Sequence, residues 1–83
     1  MPDPASAEAK VRETLAQVSK RDPDSLEPDQ ELLRDLQMDS IATLDLLMEL
    51  EEYLETEISE ADAAGLVTVG DVVRFARERC GGS

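Results

Sequence analysis

The segment from Ser40 to Glu55 constrains the fold most. Its apolar residues, Ile41, Leu44, Leu46, Leu47, Met48, Leu50, Tyr53 and Leu54, recur at helical spacing, and at about 100° per residue they cover well over half of the wheel. A surface helix needs a stripe of only roughly 100° to face one core. This helix therefore has a second apolar side. Leu46, Leu47, Leu50 and Leu54 are expected to form the core stripe. Ile41, Leu44 and Met48, interleaved with Asp45, Glu51 and Glu52, are left at its other end. An exposed apolar patch ringed by acids suits docking onto a basic, partly apolar partner surface.

The other elements are predicted from caps and spacing. Asp3-Pro4 starts a helix as an acidic cap with proline at the first helical position. Val11, Leu15 and Val18 give it an apolar stripe, and Asp22-Pro23 stops it near Arg21, because a residue before proline is pushed out of helical geometry. Residues 22 to 39 form a long loop pinned to the core by Leu26, Leu32, Leu33 and Leu36, with a turn of helix expected over Asp29–Leu33. This loop is not a calcium site: a loop opening at Asp22 would have Glu27 and Leu33 where glycine and glutamate are needed. Ile58 turns inward. Ser59-Glu60-Ala61-Asp62 is a capping box that starts a short helix ending at Gly65, and Thr68-Val69-Gly70-Asp71 starts another. The last helix has Val69, Val72, Val73 and Ala76 on its stripe, Phe75 alongside, and Arg74, Arg77 and Arg79 toward its C-terminus, where the dipole favours cations. Cys80 to Ser83 is expected to be a frayed tail. There is no strand signal.

Composition then narrows function. Eighty-three residues with 2% aromatic content describe one small domain packed from aliphatic helix faces, too small for a deep catalytic cavity. Twenty acidic against eight basic residues give a formal charge of −12. Such a surface repels nucleic-acid phosphates and anionic lipid head groups. The chain has no histidine, the usual general base and neutral-pH metal ligand, so chemistry is expected to be done to this chain and not by it. A single cysteine permits no internal disulfide and no cysteine metal cluster. The Met1-Pro2-Asp3-Pro4 start has neither a basic region nor an apolar run, and no stretch has the roughly 18–20 apolar residues of a membrane span. A cytoplasmic chain is expected, with no stable membrane association.

Asp39-Ser40, at the head of the second helix, admits two readings. The serine is a helix cap, or it is a hydroxyl held at a helix N-terminus for an enzyme that modifies it; both roles together are the expectation. The run Leu36-Gln37-Met38-Asp39-Ser40-Ile41, followed by Leu44-Asp45-Leu46-Leu47-Met48-Glu49-Leu50-Glu51-Glu52 and Thr56-Glu57-Ile58, resembles acyl carrier proteins, and the similarity extends from about Leu32 through Phe75. The resemblance implies a single carrier-like domain over residues 1–83, with 1–4 and 80–83 frayed. Its fold would be all-α, a small bundle of three longer helices and one short one with a long loop between the first and second.

It further implies that a phosphopantetheinyl transferase attaches 4′-phosphopantetheine from coenzyme A to Ser40, and that the arm's thiol holds acyl groups as thioesters. Asp39 would be the acid the transferase recognises. Ile41, Asp45, Met48, Glu51 and Glu52 match the family's partner-docking helix. The implied partners, besides the transferase, are acyl-loading, ketosynthase or acyltransferase-type enzymes with basic surfaces, served by a monomeric, non-catalytic carrier. Gln37 stands where many relatives have glycine. Ala42 replaces an acid common in fatty-acid carriers, which points to polyketide or other specialised synthesis. An aminoacyl or peptidyl carrier with the same arm, and an unmodified acidic adaptor, are the alternatives.

Overall fold

Asp3 begins the first helix as its side chain accepts the Ser6 N–H at 2.7 Å, with Pro4 in the first turn. That contact holds the Asp3 carboxyl below the usual carboxylate range. The computed structural model of the chain describes residues 3–81, with side chains to Cys80. Among these residues four helices follow one another: α1 (Pro4–Ser19), α2 (Ser40–Leu54), the short α3 (Glu60–Ala64) and α4 (Val69–Gly81), with a 3-10 turn over Pro23–Ser25 between the first two. Three longer helices, one short one and a long first loop match the expected architecture. Among the described residues there is no strand, only an isolated antiparallel bridge between Glu31 and Thr68.

α1 packs chiefly on α4 and next on α2. Its contribution to the core is Ala7, Val11, Leu15 and Ala16, all buried. Leu46 and Leu50 of α2 and Val69, Val72, Phe75 and Ala76 of α4 close the centre. Burying a side chain the size of leucine is worth about 1.5–3 kcal/mol, and these aliphatic faces supply most of what holds so small a bundle together.

Several expectations need correcting. α1 ends at Ser19, two residues early: Lys20 turns into the left-handed region with φ 58°, and the Arg21 N–H reaches back to the Ala16 carbonyl at 2.9 Å, a Schellman closure. Asp22-Pro23, expected only to stop a helix, starts the 3-10 turn, with the Asp22 carboxylate accepting the Asp24 N–H at 2.9 Å. The helical turn expected at Asp29–Leu33 is absent. A single α-turn over 32–35, not continued into a helix, follows instead, closed by Asp35 and Leu36 N–H groups on the Glu31 carbonyl. Leu26, Leu32 and Leu36 pin the loop as expected, but Leu33 is 69% exposed, and the fourth pin is Met38, which is buried.

The same loop is stitched to the start of α4. Leu32 N–H donates to the Val67 carbonyl at 2.9 Å, Val69 N–H to Gln30 at 2.9 Å, and Gly70 N–H to Pro28 at 2.8 Å. Gly70 gives the loop room there, since a Cβ would stand 3.0 Å from the Pro28 carbonyl oxygen and the loop would have to shift by a few tenths of an ångström. Arg12 and Arg21 also donate to loop carbonyls, at Leu26 (3.3 Å) and Asp35 (3.0 Å).

Both predicted caps form. Ser59 Oγ accepts the Asp62 N–H at 3.0 Å. Thr68 Oγ1 accepts the Asp71 N–H at 3.1 Å while Asp71 accepts the Thr68 N–H at 3.1 Å, a reciprocal capping box. At the chain's ends, Pro4, expected in a frayed segment, is the first residue of α1, and Asp3 caps it. Cys80, expected in a frayed tail, is buried inside α4, its thiol directed at the Arg77 carbonyl at 3.6 Å. Met1, Pro2, Gly82 and Ser83 lie outside the described residues.

Candidate modification site and docking face

The site is the junction where the pinned loop enters α2. Leu36 and Met38, both buried, anchor the loop beneath it, and the Met38 N–H donates to the Leu32 carbonyl at 3.0 Å. Between them Gln37 takes a φ of 55°, the left-handed conformation that glycine adopts most easily. The departure from glycine seen in the sequence is therefore a real backbone cost, and the turn geometry persists with glutamine in it.

Asp39 is the N-cap of α2. Its Oδ1 accepts the Ala42 N–H at 2.8 Å, and its carbonyl accepts the N–H and the hydroxyl of Thr43, each at 2.9 Å. The capping role expected of Ser40 thus belongs to Asp39, because the aspartate occupies the extended position before the helix and Ser40 is already its first residue. Ser40 is exposed, and among the described residues no hydrogen bond engages its hydroxyl. The N–H groups of the first helical turn have no intrahelical acceptor, and the positive end of the helix dipole lies there. An anionic phosphodiester on the Ser40 oxygen fits this position.

Past Ser40, α2 divides as its sequence suggested, with one change. Leu46 and Leu50 are fully buried and Leu54 packs on the core, whereas Leu47 is only half-buried. Ile41, Leu44 and Met48 are 71%, 58% and 63% exposed, a set of large apolar side chains open to solvent. The acids of this helix are not equivalent. Asp45 and Glu52 are exposed and, among the described residues, have no internal partner. Glu49 pairs with Lys10 of α1 at 3.6 Å, whose ammonium also lies 5.8 Å from the Tyr53 ring centre. Glu51 is half-buried and its carboxylate accepts the Ile58 N–H at 2.9 Å. The structure therefore brings Ile41, Met48, Asp45 and Glu52 together on one open face and gives Glu51 an internal bond at its edge. Sequence spacing could not separate Glu51 from Glu52, since nothing in it says which carboxylate the following turn will use.

Comparison with known proteins places the chain in a family. A family model described as the phosphopantetheine attachment site matches residues 9–76. Two curated acyl carrier proteins, from Chlamydia trachomatis serovar D and serovar A, are each 44% identical over 57 residues, covering 69% of this chain and 74% of theirs. A solved structure from Mycobacterium tuberculosis, named as a candidate acyl carrier protein, superposes with a TM-score of 0.74 at 32% identity, covering 82% of this chain and 90% of that one. The fold and the attachment-site match define a phosphopantetheine-binding helical carrier. The chain belongs to the acyl carrier protein family. Members of that family carry acyl groups on phosphopantetheine and are not catalysts. Among the described residues no helix is long and apolar enough to cross a membrane.

Proposed function

We propose that Ser40 is the residue to which a phosphopantetheinyl transferase attaches the arm, with Asp39 both capping α2 and marking the serine for the transferase. The observation that carries this is the exposed first-residue hydroxyl of Ser40, left free because Asp39 takes over the cap. When bound, the arm supplies a terminal thiol that holds the cargo as a thioester. The protein's own residues supply the rest: an accessible nucleophilic oxygen, first-turn N–H groups that favour the phosphate, and a face that partners can grip. No base is needed in the chain, because the transferase brings it.

Partners of acyl-loading, ketosynthase or acyltransferase type dock on Ile41, Met48, Asp45 and Glu52, with Glu51 at the border. The exposed apolar side chains supply the contact area and the unpaired acids steer basic partner surfaces. Cargo is acyl, in polyketide or other specialised synthesis, a reading that Ala42 in place of an acid supports. A transferase assay with coenzyme A and intact-mass readout tests the attachment: the chain gains one phosphopantetheine group and Ser40→Ala gains none. A gain that survives Ser40→Ala, or none in the wild type, removes the reading. Mass spectrometry of the thioester on protein from its host separates acyl from aminoacyl cargo.

A further inference from the structure

Glu51 closes α2 twice. Its carbonyl accepts the N–H groups of Glu55 and, at 3.2 Å, Thr56. Its side-chain Oε2 accepts the Ile58 N–H at 2.9 Å in a part-buried contact. The turn from α2 to α3 is wound on this one residue. Glu55 reverses the chain with a φ of 52°, Ile58 packs its side chain against the core, and Ser59 immediately caps α3. Where Ile58 sits, the first turn of α3 sits.

α3 itself adds little further hold, and the next anchor is Leu66 beyond its end, which packs against the core. The helix has five residues, none of them buried. Among the described residues its one ion pair is Asp62 with Arg79 at 3.1 Å, an exposed contact of small worth. Yet Ala63 and Ala64, with Leu66 beyond them, wall a groove of about 260 Å³ whose opposite side includes Leu33 and Thr43. Thr43 belongs to the helix that Ser40 begins. On its other side Glu51 borders an open hollow with Met48, Glu52 and Glu57, at the docking end of α2. One carboxylate thus stands between the partner face and the element that walls this groove.

We propose that Glu51 is a positioning residue that couples docking on α2 to the placement of α3. A lysine or arginine of the partner, drawn to the Glu51–Glu52 end of the helix, competes with the Ile58 N–H for the same carboxylate and loosens the turn. The free chain keeps the bond because a charge-assisted hydrogen bond yields only to a comparably strong donor. The coupling rests on the docking reading given above.

Amide hydrogen exchange by NMR on the full chain tests it, with a hexa-arginine peptide at low salt as the cationic probe. In Glu51→Ala the Ile58 amide and the α3 amides, Ala63 among them, exchange about tenfold faster or more, and Glu51→Gln lies between. Glu52→Gln leaves them as in the wild type, and α1 and α4 stay protected throughout. The peptide accelerates the same amides in the wild type and adds nothing in Glu51→Ala. An Ile58 amide as protected in Glu51→Ala as in the wild type overturns the latch. Peptide-induced shifts along α2 without faster Ile58 exchange overturn the coupling alone. A peptide that shifts no α2 resonance overturns the docking reading and the coupling with it. Should Glu51→Ala lose protection in α1 and α4, Glu51→Gln carries the comparison.

Discussion

At Gln37 the backbone enters the left-handed region one step before the buried Met38 and two before the cap. A side chain with a Cβ pays about 1 kcal/mol or more there, and glycine returns part of that gain as entropy of the unfolded chain. Gln37→Gly is therefore expected to stabilise the fold by about 0.5–1 kcal/mol, read as a higher urea midpoint with an unchanged slope; a lower midpoint would show that the glutamine side chain makes up for its own strain. Asp39 is dissected in the same way. Asparagine caps helices as well as aspartate does, and alanine does not. Asp39→Asn should keep the stability of α2 while slowing the transferase, and Asp39→Ala should slow it and lose about 1 kcal/mol as well. Equal transferase kinetics for Asp39→Asn and the wild type would leave the aspartate a cap and nothing more.

The helices themselves divide into faces that respond differently to truncation. Leu50→Ala opens a cavity at a fully buried position and should cost about 2–5 kcal/mol. Leu44→Ala at a largely exposed one should change stability by less than about 0.5 kcal/mol while weakening partner transfer; urea denaturation alongside transfer kinetics checks both. α4 carries a pH-dependent start. The Thr68 and Val67 N–H groups, the Thr68 hydroxyl and nearby Arg74 hold the Asp71 carboxyl below its usual range. A depressed carboxylate contributes stability that is present above its unfolded pKa, about 4, and is lost as pH falls through the lower folded value. Asp71→Asn should therefore be less stable than wild type at neutral pH, with a gap that narrows toward pH 3 in thermal melts. A gap that stays constant with pH would leave the carboxylate's charge without a role there. Elements such as α4 were legible in the sequence because cap and stripe sit within a few residues of one another. The loop was legible only in part. Leu26, Leu32 and Leu36 reach the core, but whether Leu33 or Met38 supplies the remaining pin depends on pairing with residues 67–70, more than thirty positions along. The exposed serine at the head of α2, proposed above for attachment, stood out by its motif, whereas the handing of the cap to Asp39 rests on one residue's φ and ψ, and the binding of Ile58 by Glu51 on a contact across the turn.

At the scale of the whole molecule, a charge of −12 is spread over a body of 32 × 26 × 19 Å. At 0.01 M salt the Debye length is about 30 Å, so every carboxylate senses most of the others, and at about 0.15 M it falls to roughly 8 Å and senses only its neighbours. Attraction is screened too, but exposed ion pairs such as Arg34–Glu31 at 3.9 Å and Arg77–Glu8 at 3.4 Å are worth little each. Screening should therefore remove more repulsion than attraction. The unfolding midpoint is expected to rise as salt goes from about 0.01 to 0.15 M. Over the same range kcat/KM for transfer to a partner with a basic surface should fall, because the field that stabilises nothing within the fold is the one that steers partners to it. Asp45→Asn with Glu52→Gln isolates the steering share: these two acids have no internal partner among the described residues, so the double variant should flatten the salt dependence of kcat/KM and hardly move the midpoint. If instead the wild-type midpoint drops with salt, the ion pairs outweigh the repulsion, and the acidic surface has to be read as part of what folds the chain.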